Sequence, residues 1–482
     1  LSSTAENSDT GGNSASSFAT VDAGTNALPF VLSRTLEAGR PKYDWGGWLR
    51  SGVSSLACLH ALTAPMIHGA VVQRVLSDRK GIPGNESACH FILTLVARMS
   101  ANYAGVRYRK RGVNADGHVA NHVEVEQILF DPEGTANGGR LGRWCSITQI
   151  RGSVPLFWHH DPGVTRPKPP ILYGLHDNTF SATKRHFAEL LTDYGAPIVC
   201  ISLLKRNEKS GREAMLAKKY REAIQSLQAE IWQGESEPAH FNAKRPMLPR
   251  PYRAPVIELH EFDFRAETNR AWNEMFSLSE ISFDRTNMFE VDADGVVKST
   301  QNGTVRSNCV DCVDRTNYAQ FFVGLHAAAQ QLYRFGVFSS PAELAAHEEL
   351  VQTILSMWIT VGDNIAVRYG GSMTVSVGLV HRGVVWDRQM GLRRFYNNNF
   401  KDKGTQTALD LLLGRYRPLV KQWEEGRVLL PMSKQQSAQS NSTPRGEGFF
   451  NGLLSRLGNT FSSSTPEPSN AATQLERFCE IW

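Results

Sequence analysis

A cysteine and an arginine six positions apart, Cys309 and Arg315, form the most informative motif of this 482-residue chain. The loop between them can surround a phosphate with backbone N–H groups, and the arginine can donate two parallel hydrogen bonds to the phosphate oxygens. From Thr316 onward the apolar spacing predicts a helix. A thiol beside an arginine at a helix N-terminus has a lowered pKa and becomes a nucleophile. The motif therefore predicts cysteine-dependent phosphate chemistry that needs no metal or other cofactor.

Two carboxyl groups, Asp311 and Asp314, lie in the same loop. Like charge raises the pKa of a carboxyl beside a phosphate dianion, so one of the two is expected to stay protonated and to act as general acid. Asp311 is the first candidate and Asp314 the second. Thr316 is expected to donate a hydrogen bond to the sulfur and so to help the thiolate leave. The other residues predicted to line the phosphate site are Asn308, Val310, Cys312 and Val313.

The pair Cys309 and Cys312 has the spacing of half a zinc site or of a redox pair, and these alternatives remain open. A structural zinc site of this type needs a second close pair of cysteines, and the other five are isolated in the chain. We expect those five to be buried, inert thiols: Cys58, Cys89, Cys145, Cys200 and Cys479. An odd number of scattered cysteines favours a reducing compartment.

The twelve residues 306–317 resemble the signature of the Sac-domain phosphoinositide phosphatases, Arg-x-Asn-Cys-x-Asp-Cys-Leu-Asp-Arg-Thr-Asn. Val313 stands where leucine is usual. The resemblance implies that Cys309 is the nucleophile and that Arg315 holds the phosphate. It extends over about residues 30–416, through further segments that follow in the family's order: 103–114, 149–158, 369–372 and 394–400.

Short segments around residues 308–312, 318–321, 362–363 and 369–372 look most like the endosomal and vacuolar branch of that family. The resemblance implies a 5-phosphatase of phosphatidylinositol 3,5-bisphosphate. It also implies a peripheral protein on the cytosolic face of endosomal or vacuolar membranes, in a complex with a helical-repeat scaffold and a phosphoinositide 5-kinase. The alternatives are a phosphatidylinositol 4-phosphate phosphatase and a mainly scaffolding subunit. The branch anchored in the endoplasmic reticulum carries a hydrophobic C-terminal anchor. We expect no segment of this chain to reach the roughly 20 apolar residues that a membrane span needs.

Four cations cluster within five residues: Arg107, Arg109, Lys110 and Arg111. We expect Lys110 and Arg111 to bind the second phosphate of an inositol bisphosphate. The alternative, a solvated strand edge, is equally favoured by the usual behaviour of charge clusters. The net charge of +5 suits an anionic membrane surface. The basic residues form no dense stripe with interleaved aromatic residues, so nucleic acid is not an expected partner.

Apolar strand patterns at 91–97, 123–129, 197–204 and 255–260 alternate with helical patterns, which predicts an α/β fold. The active loop is expected at the carboxyl end of a strand that leads into a helix. We predict a Sac catalytic domain over 96–416, preceded over 28–95 by a partial, apparently truncated N-terminal lobe. Residues 1–27 are predicted to be disordered because they are polar. Residues 417–482 are predicted to form a low-complexity tail with a short amphipathic segment.

Overall fold

A computed structural model describes most of the central part of the chain. The described residues are 41–54, 64–77, 90–132, 142–161, 169–174, 177–206, 212–233, 256–262, 269–377 and 382–416. The predicted disordered N-terminus and the predicted C-terminal tail lie outside these residues.

Eleven strands are present among the described residues. In chain order they are β1 Gly69–Ser77, β2 His90–Met99, β3 Val123–Asp131, β4 Arg143–Arg151, β5 Trp158–His160, β6 Ile171–Tyr173, β7 Ile198–Ser202, β8 Ile257–Glu261, β9 Phe289–Val291, β10 Val297–Ser299 and β11 Thr304–Asn308. Strands β5 and β6 pair with each other, and the other nine form one sheet.

Strand pairing in the large sheet changes from antiparallel to parallel at β4. Strands β1, β2, β3 and β4 pair antiparallel in sequence order. Strands β4, β11, β7 and β8 then pair parallel. Strand β9 lies antiparallel to β4 and carries β10. Because parallel strands end at the same edge, the carboxyl ends of β4, β11, β7 and β8 come together there.

Helices cover both faces of the sheet. In chain order they are α1 Gly47–Ser54, α2 Ser181–Tyr194, α3 Arg212–Gln233, α4 Asn269–Thr286, α5 Asp314–Arg334, α6 Glu348–Gly370, α7 Val384–Tyr396 and α8 Asp402–Leu412. One core joins the sheet to α4, α5 and α6. The second core lies on the opposite face and holds the apolar sides of α2 and α3. This arrangement confirms the predicted α/β fold, and the four predicted strand segments correspond to β2, β3, β7 and β8.

Helix α5 is the central helix of the structure. Nearly every residue from Thr316 to Leu332 is buried, including Phe321 and Phe322. A helix that is apolar on all sides is expected in the middle of a large core rather than at its surface. Helix α5 begins directly after the loop that carries the cysteine–arginine motif, so the core holds this loop in place.

Helix α6 corrects one expectation from the sequence. By length and composition it is apolar enough to cross a membrane, although no such segment was expected. Half of its most apolar stretch is buried inside the fold, including Ile354, Trp358 and Val361. Its apolar residues therefore have a place in the core beside α5.

The predicted boundary between the partial N-terminal lobe and the catalytic domain, at residues 95 and 96, falls inside strand β2. Strands β1 to β4 form a continuous antiparallel ladder on both sides of it. The sheet is therefore shared by the two predicted segments, and the division between them remains a prediction.

The close approach of α5 and α6 gives a stability prediction. A Cβ atom at Gly324 in α5 would lie 2.5 Å from the Trp358 ring. We expect Gly324→Ala to lower the free energy of unfolding by about 1–3 kcal/mol, because the packed indole has little space to move. The matched control is Gly404→Ala in α8, where a Cβ atom meets nothing within 4 Å. This control should leave the stability unchanged or raise it by up to about 1 kcal/mol. Urea unfolding of both variants measures the difference, and equal effects would contradict the packing of α5 on α6.

Candidate active site

The loop Cys309–Val313 connects the end of β11 to the start of α5. Cys312 has a φ of 50°, a left-handed conformation that few residues other than glycine adopt. This turn directs the Cys312 N–H to the Cys309 sulfur, at 3.0 Å. The Cys309 N–H points to the Cys312 sulfur in return, at 3.3 Å. The loop thus closes around the Cys309 sulfur at the N-terminus of a helix, as the sequence predicted.

The Cys309 thiol is acidic in this setting. Burial opposes its ionisation, but the side chain of Cys312, the positive charge of Arg315 and the Thr316 hydroxyl together lower its pKa to about 6. Asp311 acts in the opposite direction and raises it. Because the lowering effects prevail, most of Cys309 is thiolate at neutral pH, and a thiolate is the reactive form of cysteine.

The second cysteine of the loop has a different character. Burial and the neighbouring Cys309 raise the pKa of Cys312 well above its ordinary value, so Cys312 remains a neutral thiol. Its sulfur lies 3.0 Å from the Gly152 carbonyl oxygen, to which it donates. Both cysteines are free thiols. Among the residues that the structure describes, no group of three His, Cys, Asp or Glu side chains is placed to hold a metal ion.

Arg315 is held from behind by a carboxylate. Its Nη1 donates to Glu213 Oε2 at 2.8 Å and to the Leu203 carbonyl oxygen at 2.7 Å. Its Nη2 donates to Glu213 Oε1 at 3.1 Å. These contacts occupy one edge of the guanidinium group and leave the Nε and outer Nη2 hydrogens of the opposite edge. That edge can donate two parallel hydrogen bonds to a phosphate.

Asp311 lies between two arginines. Arg107 Nη1 is 3.3 Å from Asp311 Oδ2, and Arg111 Nη2 donates to Asp311 Oδ1. Burial raises the pKa of this carboxyl, but Arg107 and Arg111 outweigh that effect and hold the pKa well below its usual range. In the protein without substrate Asp311 is therefore ionised, and the protonation predicted for one of the two aspartates beside a bound phosphate stays a prediction. The positive charges of Arg107 and Arg111 determine its protonation state.

The two cations that the sequence assigned to a second phosphate have different surroundings. Arg111 is buried under the loop, where its Nη1 donates to the Val310 carbonyl oxygen at 2.9 Å. Lys110 turns away, and its Nζ lies over the Tyr103 ring at 4.9 Å from the centroid. The structure thus brings Arg111 to the loop but does not bring Lys110 there.

Asp314, the other candidate acid, is also paired. Arg394 of α7 donates to Asp314 Oδ2 at 2.9 Å and to Oδ1 at 3.2 Å. The Val375 N–H donates to Oδ1 at 3.0 Å. Asp314 therefore ties the first residue of α5 to α7 and to the segment after α6, and it stands beside the loop as a structural partner of Arg394.

The remaining predicted loop residues act mostly through the backbone. The Asn308 side chain accepts from Arg306 and donates to Ser202 inside the sheet, so the predicted place of Asn308 in the phosphate site stays a prediction. The side chains of Val310 and Val313 pack into apolar clusters. Thr316 is buried in the first turn of α5 and lowers the pKa of Cys309. Its Oγ1 has no hydrogen-bond partner of regular geometry among the described residues, so its donation to the sulfur stays a prediction.

Several residues that fix the loop were not assigned a role from the sequence. Asn121 Nδ2 donates to the Cys312 carbonyl oxygen at 2.8 Å. The Tyr369 hydroxyl donates to the Lys110 carbonyl oxygen at 2.8 Å and thereby holds the arginine segment. Tyr369 and Arg394 lie in segments that resemble the family, and this resemblance was the available signal for them. Glu213 lies in none of those segments, and only the fold brings it to Arg315.

A cavity of about 530 Å³ opens beside α6, α7 and α8. Its charged lining residues are Arg368, Arg393, Lys401 and Asp402. It includes no residue of the loop from Cys309 to Arg315. Burial raises the pKa of Asp402 to about 7, although Arg107 and Arg109 act in the opposite direction. The cavity is thus a neighbour of the arginine segment and separate from the phosphate loop.

Comparisons with known proteins give one family. The model of the SacI homology domain matches residues 10–269, more than half of the chain, and ends before the cysteine loop.

Three curated relatives match across most of the chain. A polyphosphoinositide phosphatase of Schizosaccharomyces pombe is 33% identical over 414 residues, which cover 80% of this chain and 46% of the relative. The phosphatidylinositol-3-phosphatase SAC1 of Arabidopsis thaliana is 29% identical over 452 residues, which cover 82% of this chain and 48% of the relative. The phosphoinositide phosphatase SAC4 of the same plant is 29% identical over 420 residues, which cover 78% of this chain and 49% of the relative. The chain thus spans about half the length of the curated relatives that it matches.

The contact between Glu213 and Arg315 can be tested by anion binding. We expect Glu213→Gln to weaken the binding of tungstate, a phosphate analogue, by about tenfold. A glutamine amide has one acceptor oxygen in place of two, so it accepts one hydrogen bond from Arg315 and no longer fixes the orientation of the guanidinium group. Isothermal titration measures this affinity.

The matched control for that titration is Glu222→Gln on the same helix, α3. Its partner Lys218 lies 4.0 Å away, and both side chains are exposed. The control should bind tungstate like the wild type. Equal affinities of Glu213→Gln and the wild type would show that Glu213 does not position Arg315.

Proposed function

Because the chain belongs to the SacI homology (Sac) domain family, we propose that it is a cysteine-dependent phosphoinositide phosphatase. Membership confirms the family that the twelve-residue signature predicted. The observation that carries the proposed activity is the Cys309 sulfur, which is enclosed by its own loop, ionised near neutral pH and placed beside Arg315. The names of the three relatives also describe phosphatases of phosphoinositides.

The proposed reaction has two steps. In the first, the Cys309 thiolate attacks phosphorus, a sulfur–phosphorus bond forms, and the bond from phosphorus to the ring oxygen breaks. The ring oxygen takes a proton and leaves as an alcohol. In the second, water attacks phosphorus, the sulfur–phosphorus bond breaks, and inorganic phosphate and the thiolate are released. The free edge of Arg315 holds the phosphoryl oxygens through both steps, where negative charge develops.

The proton for the leaving oxygen has a plausible source in Asp311. In the free protein Arg107 and Arg111 hold this carboxyl ionised. A bound phosphate dianion competes for the same two guanidinium groups and adds negative charge nearby, and both effects raise the pKa of Asp311. The general-acid role of Asp311 thus remains a prediction that depends on substrate binding. Asp314 remains the second candidate.

The proposed substrate is phosphatidylinositol 3,5-bisphosphate, and the proposed product loses the 5-phosphate. This proposal is supported by the short segments that resemble the endosomal and vacuolar branch. It is also supported by charge, because three arginines, Arg107, Arg111 and Arg394, face only two carboxylates, Asp311 and Asp314, beside the loop. The surplus cation favours a headgroup with a second phosphate.

The proposed location is the cytosolic face of endosomal or vacuolar membranes. The net charge of +5 supports contact with an anionic surface. Assembly with a helical-repeat scaffold and a 5-kinase is implied by the resemblance alone and remains a prediction.

A phosphate-release assay tests the proposed function. The purified chain and its Cys309→Ser variant are incubated with phosphatidylinositol 3-phosphate, 4-phosphate and 3,5-bisphosphate in vesicles. We expect release from the bisphosphate, with the 3-phosphate as the lipid product, and no release by the variant, because serine lacks an ionised nucleophile at this pH.

Other outcomes of the same assay favour the alternatives. Equal release from the 4-phosphate would favour a monophosphate phosphatase. Release from the 3-phosphate would match the name of one relative. No cysteine-dependent release from any lipid would contradict the enzymatic proposal and favour a scaffolding role.

The acidity of Cys309 predicts a pH dependence. The thiolate is present above its pKa of about 6 and is protonated below it. We therefore expect kcat/KM to fall by about tenfold for each pH unit below that value and to level off above it. This fall, the acidic limb of the pH profile, is measured from the rate with a soluble phosphomonoester at a series of pH values. A limb with its midpoint near pH 8.5, the ordinary range of a thiol, would contradict the proposed stabilisation of the thiolate.

The control for this profile is Asp402→Asn, because Asp402 also titrates near neutral pH, with a pKa of about 7. The acidic limb should keep its midpoint in this variant. If the limb disappeared, Asp402 rather than Cys309 would be the group that titrates.

A further inference from the structure

Arg151, the last residue of β4, is a buried cation without a partner. Its side chain is among the largest fully buried ones in the structure. None of its three guanidinium nitrogens has a hydrogen-bond partner among the described residues. A buried charge is costly unless it is paired, so an arginine in this state needs a compensating negative charge nearby.

Strand pairing places Arg151 below the phosphate loop. It pairs with Ser307 of β11, two residues before Cys309. Side chains alternate along β4, and Gln149, two residues earlier, donates to the Gln320 carbonyl oxygen of α5. Arg151 therefore faces α5 as well, nearer to the carboxyl edge where that helix begins. The carbonyl oxygen of the next residue, Gly152, accepts a hydrogen bond from the Cys312 thiol.

Another buried arginine in the neighbouring strand shows the contrast. Arg306 of β11 faces the opposite side of the sheet. Its Nε donates to His186, its Nη1 to Asn308 Oδ1 and its Nη2 to the Ser153 carbonyl oxygen. All three nitrogens of Arg306 are thus satisfied by neutral groups, whereas those of Arg151 have no such contact in the described residues.

The groups that act electrostatically on Arg151 belong to the phosphate loop. Burial lowers the pKa of Arg151 to about 10, while Cys312, Cys309 and Asp314 raise it. Cys312 is a neutral thiol. Asp314 already binds Arg394 through both carboxylate oxygens. The Cys309 thiolate is the remaining negative charge of the three.

Other arginines close to the loop each contact a carboxylate, although Arg107 and Arg111 share one. Arg107 and Arg111 bind Asp311, Arg394 binds Asp314, and Arg315 binds Glu213. From α6, the phenol of Tyr369 is neutral, because burial raises its pKa. Arg151 differs from these arginines because none of its guanidinium nitrogens has a hydrogen-bond partner in the described part of the chain.

We propose that Arg151 is a positioning residue whose buried charge holds Cys309 in the thiolate form from below the loop. Arg315 holds the incoming phosphate from the side, and Arg151 stabilises the sulfur before substrate arrives and after phosphate leaves. This role rests on Cys309 as the proposed nucleophile, but not on the identity of the lipid. It assigns a function to the most deeply buried charged residue of the segment 149–158, which resembles the family.

The test measures the ionisation of Cys309 without any substrate. Thiolates absorb in the ultraviolet, so the absorbance of each protein is titrated against pH and compared with that of its Cys309→Ser counterpart. In Arg151→Met we expect the midpoint of Cys309 to rise by about one pH unit or more, because a nearby positive charge is lost. In Arg151→Lys, which keeps a charge, we expect a smaller rise.

Kinetics with a soluble phosphomonoester provide the second readout. The ratio of kcat/KM between wild type and Arg151→Met should be about ten at pH 5 and should approach one above pH 8, because only the thiolate fraction differs. A structural defect would lower kcat/KM by the same factor at every pH. That result, or an unchanged titration midpoint in the folded variant, would overturn the proposal.

Control variants separate folding from charge. Arg143→Met removes an arginine at the other end of β4, where the partner is Asp131 at 2.7 Å, and it should leave the Cys309 midpoint unchanged. If Arg151→Met does not fold, Arg151→Gln replaces it, because glutamine is neutral but polar. A shifted midpoint without lipid turnover would support the role of Arg151 and contradict the proposed function. Lipid turnover with an unshifted Cys309 midpoint would support the proposed function and contradict the role of Arg151.

Discussion

The hydrogen bond from the Cys312 N–H to the Cys309 sulfur, at 3.0 Å, is the contact on which the rest of the site depends. It exists because Cys312 adopts a left-handed conformation and because α5 begins two residues later. The buried helix α5 anchors one end of the loop, and the parallel strand β11 anchors the other. A chain folded in this way places a sulfur atom against a backbone N–H at the N-terminus of a helix, which is also where an anion binds.

The arginines at the mouth of this loop contact carboxylates. Asp311 binds both Arg107 and Arg111, and Glu213 binds one edge of Arg315. Such pairs keep arginines ordered in a buried place, where isolated charges are unstable. They also leave the site responsive, because a phosphate dianion competes with the carboxylates for the same guanidinium groups. The acidity of Asp311 thus depends on what is bound, so its ionised state in the free protein differs from the protonated state that the sequence predicts beside a bound phosphate.

Local patterns were sufficient for the loop but not for its surroundings. The expected place of an active loop at the carboxyl end of a strand and the helical spacing after Arg315 put the motif between a strand and a helix, as the structure has it. Glu213 and Arg151 were not predicted, because each lies more than a hundred residues before the residue that it serves, and only strand order brings it there. Lys110 was assigned to the site by its neighbours in sequence, but its side chain turns to Tyr103 while Arg111 enters the core.

A crystal structure with vanadate tests the central claim most directly, because vanadate mimics a phosphoryl group under attack and bonds to thiolates. The account predicts vanadium bound to the Cys309 sulfur inside the loop, with oxygen atoms that accept from Nε and Nη2 of Arg315 while Glu213 remains on the other edge. Vanadate bound elsewhere would contradict the account, as would a Cys309 sulfur turned away from Arg315.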